Sequence, residues 1–144
     1  MCLNKDKVKQ MLNKNFVNLT YMKYHGGHTL ERHVYISDKE MNKKVSNYNK
    51  NSMTKYNGRC EAEKCFREII DYHCDDIVDW VVDNDTEYLI LNLNHERPVG
   101  YGIKDNCRYD DMTYSKAKLV RDTTSVLGFS VQTMFPTTLS KRSC

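Results

Sequence analysis

No run of about 18 apolar residues occurs in this 144-residue chain, so no membrane-spanning helix is expected. The opening segment MCLNKDKVKQ has no apolar stretch either, and it is not expected to act as a signal peptide. If the protein is exported, the signal lies elsewhere or another protein carries it. Cysteines are present at positions 2, 60, 65, 74, 107 and 144, but none forms a Cys-x-x-Cys pair. Their spacing fits neither a zinc finger nor a small disulfide-stapled scaffold, so mostly free thiols are expected. There is no internal repeat. His-Glu-x-x-His, the helical zinc-hydrolase pattern, is also missing.

The composition is 40% hydrophobic and 28% charged, which suits one soluble domain with one core. The net charge of +3 conceals a segregation. Residues 1–60 carry 12 basic and 4 acidic groups, residues 61–111 carry 5 and 14, and residues 112–144 carry 5 and 1. Two basic segments suit a polyanion, with the acidic middle facing away or meeting a basic partner; equally, the lysines serve only to keep an asparagine-rich chain in solution.

Residues 1–20 read as a short amphipathic helix or linker, with residues 21–144 as the domain. Gly26-Gly27 breaks the chain, and Thr29 is placed to cap a short helix ending near His33. Ser37-Asp38-Lys39-Glu40 has the form of a capping box opening a second helix, with Met41 and Val45 inward. Residues 46–58 read as a polar loop. Ala62, Cys65, Phe66, Ile69, His73, Ile77, Trp80 and Val81 recur at helical spacing, which predicts one helix over 61–83 with His73 in the core. Strands are expected at 88–94, 98–103, 113–122 and 128–136. On the last of them the two-residue period puts Phe129, Val131, Thr133 and Phe135 on one face. Helices followed by an antiparallel sheet make an α+β fold.

The segment HGGHTLERHV, residues 25–34, gathers most of the chemistry. His25, His28 and His33 permit a zinc site, although on a helix His33 is turned about 140° from His28. The same segment permits metal-free cleavage of RNA. There the 2′-hydroxyl is the nucleophile, histidines move protons, and cations with a hydroxyl donor stabilise the phosphorane. His28, Arg32 and His33 offer these groups, with Lys44 a helix away and Thr133 beside aromatics on a strand. An RNA-binding module without catalysis remains an alternative, as does an interaction domain whose acidic helix meets a basic partner.

In order along the chain come GGHTLERHV, the capped helix SDKEMNKKV, the loop NKNSMTKYNG, the helix CEAEKCFREIIDYHCDDIVDWV, the turn within LILNLNHERPVGYGI, and the final TMFP. Over roughly residues 24–137 this series resembles the bacterial RNase A-like toxin domain. That family forms the C-terminal tips of contact-dependent growth inhibition proteins and related polymorphic toxins. The resemblance implies a kidney-shaped α+β domain with a curved antiparallel sheet. It implies a metal-independent ribonuclease with no cofactor, monomeric as an isolated domain. It also implies a cognate immunity protein, export as part of a larger bacterial toxin, and action on RNA, tRNA among the possible substrates, in the target-cell cytoplasm. Carried over by position, His33 is the first choice for general acid/base and His28 the second. The basic position on the next helix, where the family usually has arginine, falls on Lys43 or Lys44; Lys44 is taken for catalysis and Lys43 for substrate binding. Thr133 matches the threonine of the last strand. Phe135 stands where tyrosine is frequent and lacks the hydroxyl, for which Arg32 or the loop tyrosine Tyr56 is an expected substitute.

Overall fold

The structure, a computed structural model, describes residues 4–14, 17–47, 53–83, 86–104 and 107–138. Four helices come first: α1 (Lys5–Leu12), α2 (Leu19–Tyr24), α3 (Thr29–His33) and α4 (Asp38–Asn47). Strand β1 (Met53–Tyr56) precedes α5 (Arg59–Tyr72) and α6 (Cys74–Asp83). The remaining strands are β2 (Tyr88–Asn94), β3 (Gly100–Lys104), β4 (Cys107–Met112), β5 (Tyr114–Arg121) and β6 (Phe129–Thr137). The α+β plan read from the sequence is the fold observed. The expected single sheet is instead two antiparallel sheets, ordered β1-β3-β4 and β2-β5-β6.

Each sheet has its own buried cluster. Helices α1, α2, α3, α5 and α6 pack with β2-β5-β6 around Leu12, Met22, Phe66, Ile69, Trp80 and Phe129. Helix α4 covers the other sheet through Ile36, Met41, Met53, Tyr101 and Ile103, with Val45 at the margin. The N-terminal segment contributes to the first core. Val8 and Leu12 on α1 are fully buried, and Lys5 pairs with Asp79 and Asp83 on α6 at 3.1 and 2.8 Å.

Local chemistry sets the helix ends. The side chain of Asn4 accepts from the Lys7 amide at 2.8 Å, and that of Asn18 accepts from the Tyr21 amide at 2.9 Å. One half of the capping box forms at α4, where Ser37 Oγ accepts from the Glu40 amide at 3.1 Å, and the Glu40 carboxylate accepts from the Ser37 hydroxyl at 3.4 Å. At α3 the N-cap residue is His28 rather than Thr29, and it makes no side-chain capping bond. The single helix expected over 61–83 is two, broken at His73, whose φ of −99° and ψ of 18° leave the helical region. His73 is half-buried at this joint rather than in the core. Its Nε2 donates to the Asn92 carbonyl at 2.8 Å, which pins the break to the edge of β2.

Two strands escaped the sequence reading. β1 lies inside the segment expected to be a loop, whose residues 48–52 are outside the described ones, and β4 follows β3 directly. β6 also departs from simple alternation. Its partners on β5 shift register, with Thr133 opposite Lys118 and Val131 opposite Leu119. The extra residue, Gln132, is a β-bulge. Cross-strand partners share a face and neighbours on a strand do not, so the bulge reverses the phase. Phe129 and Val131 enter the core, whereas Thr133 and Phe135 stand on the opposite face with Lys118 and Lys116.

Candidate active site

The His-Gly-Gly-His segment is held against β6 at the bulge. Gly26 adopts φ +91°, a conformation that suits glycine. A Cβ on Gly27 would lie 2.5 Å from the Val131 carbonyl oxygen and 2.9 Å from that of Met22, so the close approach requires glycine there. The His28 amide then donates to the Gln132 carbonyl at 2.9 Å. Helix α3 therefore starts one residue from Thr133 in space and carries His33 at its far end.

His33 is half-buried between β1 and β6. Its Nδ1 lies 2.8 Å from the Thr54 carbonyl oxygen. A carbonyl only accepts, so Nδ1 bears the proton and the ring's basic lone pair is on Nε2. The imidazole packs on Phe135, with ring centroids 5.4 Å apart and planes tilted by 34°. The bulge thus brings Phe135 to His33 and places Thr133 on the same face, one row along.

The sequence-derived residues divide into groups. His33, Thr133 and Phe135 come together, and His28 is anchored beside them through its backbone. Lys43 and Lys44 lie on α4, which packs on β1, the strand holding His33, and on β3. Arg32 is exposed on α3. Among the described residues no carboxylate pairs with Arg32, Lys43 or Lys44, so this region keeps an excess of positive charge. Tyr56 is a correction. It lies on β1 rather than in a loop, is 0% exposed, and its hydroxyl is 2.8 Å from Ser115 Oγ inside the core. Burial pushes its pKa well up, and the ring has no route to a substrate.

The three-histidine zinc reading also fails on geometry. His25, His28 and His33 do not bring three ligand atoms within reach of one ion. Among the described residues, the group able to offer three ligand atoms is instead Cys65, Glu68 and His95. Its geometry reads as a structural network. Arg97 grips Glu68 through two bonds of 3.0 and 2.6 Å and also reaches Glu61 at 3.0 Å, so a cation would have to displace a guanidinium. His95 Nε2 lies 2.7 Å from Ser115 Oγ, and its Nδ1 is 3.3 Å from Glu68 Oε1, outside hydrogen-bond geometry. Burial lowers the His95 pKa against the opposing pull of Glu68. Burial likewise pushes the Cys65 thiol up to about 12. The network anchors the Arg97-Pro98-Val99-Gly100 turn. There the Asn57 amide donates to the Val99 carbonyl at 3.0 Å, and a Cβ on Gly100 would run into the Lys55 carbonyl oxygen.

Lys116 and Lys118 went unnamed in the sequence reading. They are cross-strand partners of Phe135 and Thr133. Their signal was the alternation of β5, where Ser115, Ala117 and Leu119 are buried and the lysines between them point the other way.

A family model described as the bacterial CdiA-CT RNAse A domain matches residues 27–136. A solved structure, a CdiA-CT/CdiI complex from Y. kristensenii 33638, has a chain similar to this one with a TM-score of 0.70. The two share 24% sequence identity, and the match covers 78% of this chain and all of the other. At that identity the likeness establishes the fold alone. No curated protein matches the chain.

Proposed function

The chain belongs to the bacterial CdiA-CT RNase A domain family of growth-inhibition toxins, and from that premise we propose that it cleaves RNA with its own side chains and no metal. The 2′-hydroxyl of the substrate attacks the adjacent phosphorus, and its proton passes to Nε2 of His33. The bond to the 5′-oxygen breaks, and a second proton-transfer group, for which His28 is the choice, protonates the leaving oxygen. The products are a 2′,3′-cyclic phosphate and a 5′-hydroxyl. Lys44, Arg32 and the Thr133 hydroxyl stabilise the charge of the phosphorane, and Lys43 adds to the field that attracts the backbone. Phe135 supports the imidazole and offers an apolar surface to a base.

The observation that carries this reading is the seat of His33. A backbone carbonyl fixes its tautomer, an aromatic ring fixes its plane, and a hydroxyl stands on the same strand face. Proton transfer from a positioned side chain contributes roughly 10²–10⁴-fold. The biological setting follows from the family. The domain would be delivered as the C-terminal part of a larger exported protein and act in the cytoplasm of a target cell. The similar chain from Y. kristensenii was solved in complex with CdiI, which supports a cognate immunity protein for this chain; its place over the site is part of the proposal.

The test is incubation of purified protein with total RNA in excess EDTA, with His33→Ala alongside and circular dichroism on both. Cleavage by the wild type with cyclic-phosphate ends, and its loss by about 10²–10⁴-fold in a folded His33→Ala, is the expected result. Full activity in a folded His33→Ala protein would overturn the assignment. Bound but intact RNA would reduce the domain to a binding module.

A further inference from the structure

We infer that the open face of the β2-β5-β6 sheet is the track for the single-stranded RNA flanking the scissile bond, with a base stacked on Tyr88. This rests on the ribonuclease reading above and extends it from the reacting phosphate to the rest of the substrate.

Two cross-strand rows lead out of the candidate site. One runs Phe135, Lys116, Asn92 and the other Thr133, Lys118, Ile90. Adjacent strands lie about 4.8 Å apart, so β2 is roughly 10 Å from β6, within reach of the nucleotides beside the cleaved bond. The β6 bulge creates this continuity, because without it Thr133 and Phe135 would sit on the core face.

The outer end of the face is unusual for a solvated sheet. Tyr88 is 52% exposed and Ile90 43% exposed. Lys118, directly opposite Ile90, reaches diagonally so that its Nζ lies 4.8 Å from the centroid of the Tyr88 ring. Lys116 is exposed, with no carboxylate partner among the described residues. Cations beside an exposed ring suit an unpaired strand, whose phosphates seek charge and whose bases seek a flat apolar surface. A duplex keeps its bases stacked inside and gains nothing from Tyr88. At the edge of β2, Ile90 and Asn92 share a pocket with Asp76, Asp79 and Asp83. Lys5 pairs with Asp79 and Asp83, and Asp76 marks the end of the track, since a carboxylate repels phosphate.

The test compares wild type, Tyr88→Ala, Tyr88→Phe and a Lys116→Ala/Lys118→Ala double variant. Substrates are a dinucleotide and a single-stranded RNA of about 12 nucleotides, within the usual span of single-strand sites. Binding is measured with a DNA strand of the same length, which lacks the 2′-hydroxyl and stays intact. In Tyr88→Ala the ratio of oligonucleotide to dinucleotide kcat/KM is expected to fall roughly 5- to 150-fold, the range of base–aromatic stacking. Tyr88→Phe keeps the wild-type ratio. The double variant lowers the slope of log affinity against log salt by about 1.4, as two lost phosphate contacts require. If all variants keep the wild-type ratio, affinity and salt slope, the track is overturned while the ribonuclease reading stands, and the face is left for a protein partner. A wild type that cleaves neither RNA removes both.

Discussion

The Thr54 carbonyl accepts the Nδ1 proton of His33 at 2.8 Å, and because that acceptor is backbone it persists through any side-chain substitution at position 54. The orientation of the ring therefore depends on β1, an element that the sequence did not announce. Residue types and family resemblance singled out His33 as the candidate acid/base, but the bond and the ring contact that fix its position were not legible. Tyr56 shows the converse. Its asparagine-rich surroundings suggested an exposed loop, yet Met53, Thr54 and Tyr56 are buried on a four-residue strand. Such a strand is too short for its pattern to outweigh its flanks. Lys44 tests the charge side of the site. A lysine is a point charge without the bidentate fork of arginine. Removing a preorganised electrostatic donor typically costs about 10²–10³ in kcat. Lys44→Ala is expected to lose activity on that scale in kcat rather than in KM, with Lys44→Arg retaining it. An unchanged kcat in Lys44→Ala would shift the role to Arg32.

Among the elements, those with local codes were the readable ones. Ser37 caps α4 by accepting from the Glu40 amide, and the apolar stripe of α5 and α6 is buried as the helical period requires. Features that depend on distant partners were hidden. The break at His73 is held by the Asn92 carbonyl on β2. The bulge at Gln132 meets α3, where its carbonyl accepts from His28. Simple alternation would have turned Thr133 and Phe135 into the core, so the candidate site depends on this rule failing at one residue. Gly27 is the residue that lets α3 approach that bulge. A methyl group there meets two backbone carbonyls, at 2.5 and 2.9 Å, and neither can rotate away. Gly27→Ala is expected to cost about 1–3 kcal/mol, the usual range for overpacking, and to lower activity further by moving His33. Thermal denaturation together with kcat on a dinucleotide checks it. A variant with unchanged Tm and unchanged kcat would show that α3 has room to retreat.

For the molecule as a whole, helices-then-strands was enough to give the fold class, but the division into two sheets was not legible. Pairings such as β1 with β3 and β2 with β5 join segments far apart in sequence, and no local period encodes them. The polar network between the helices and the sheets is equally nonlocal, since Cys65, Glu68, His95 and Arg97 meet only in the fold. Its titration predicts how stability responds to pH. The His95 pKa is lowered by burial, so below its ordinary value of about 6.5 the unfolded chain takes up a proton that the folded one resists, and stability falls with acidification. Glu68 is lowered by Arg97, so its contribution is present above the ordinary carboxylate value and is lost as pH falls through its depressed one. Burial of Glu63 raises its pKa and opposes that loss within the carboxylate range. On the alkaline side the Cys65 thiol stands at about 12 in the fold, against about 8.5 in an unfolded chain. Its contribution is complete below about 8.5 and is lost as pH rises toward 12. Stability should therefore peak between about pH 6.5 and 8.5 and decline on both sides. Tm measured across that range and beyond it is the check, with His95→Gln expected to flatten the first part of the acid limb and Cys65→Ala the alkaline limb. A wild-type Tm that does not change from about pH 8.5 to 10 would mean that the Cys65 thiol is not shielded from solvent as its packing requires.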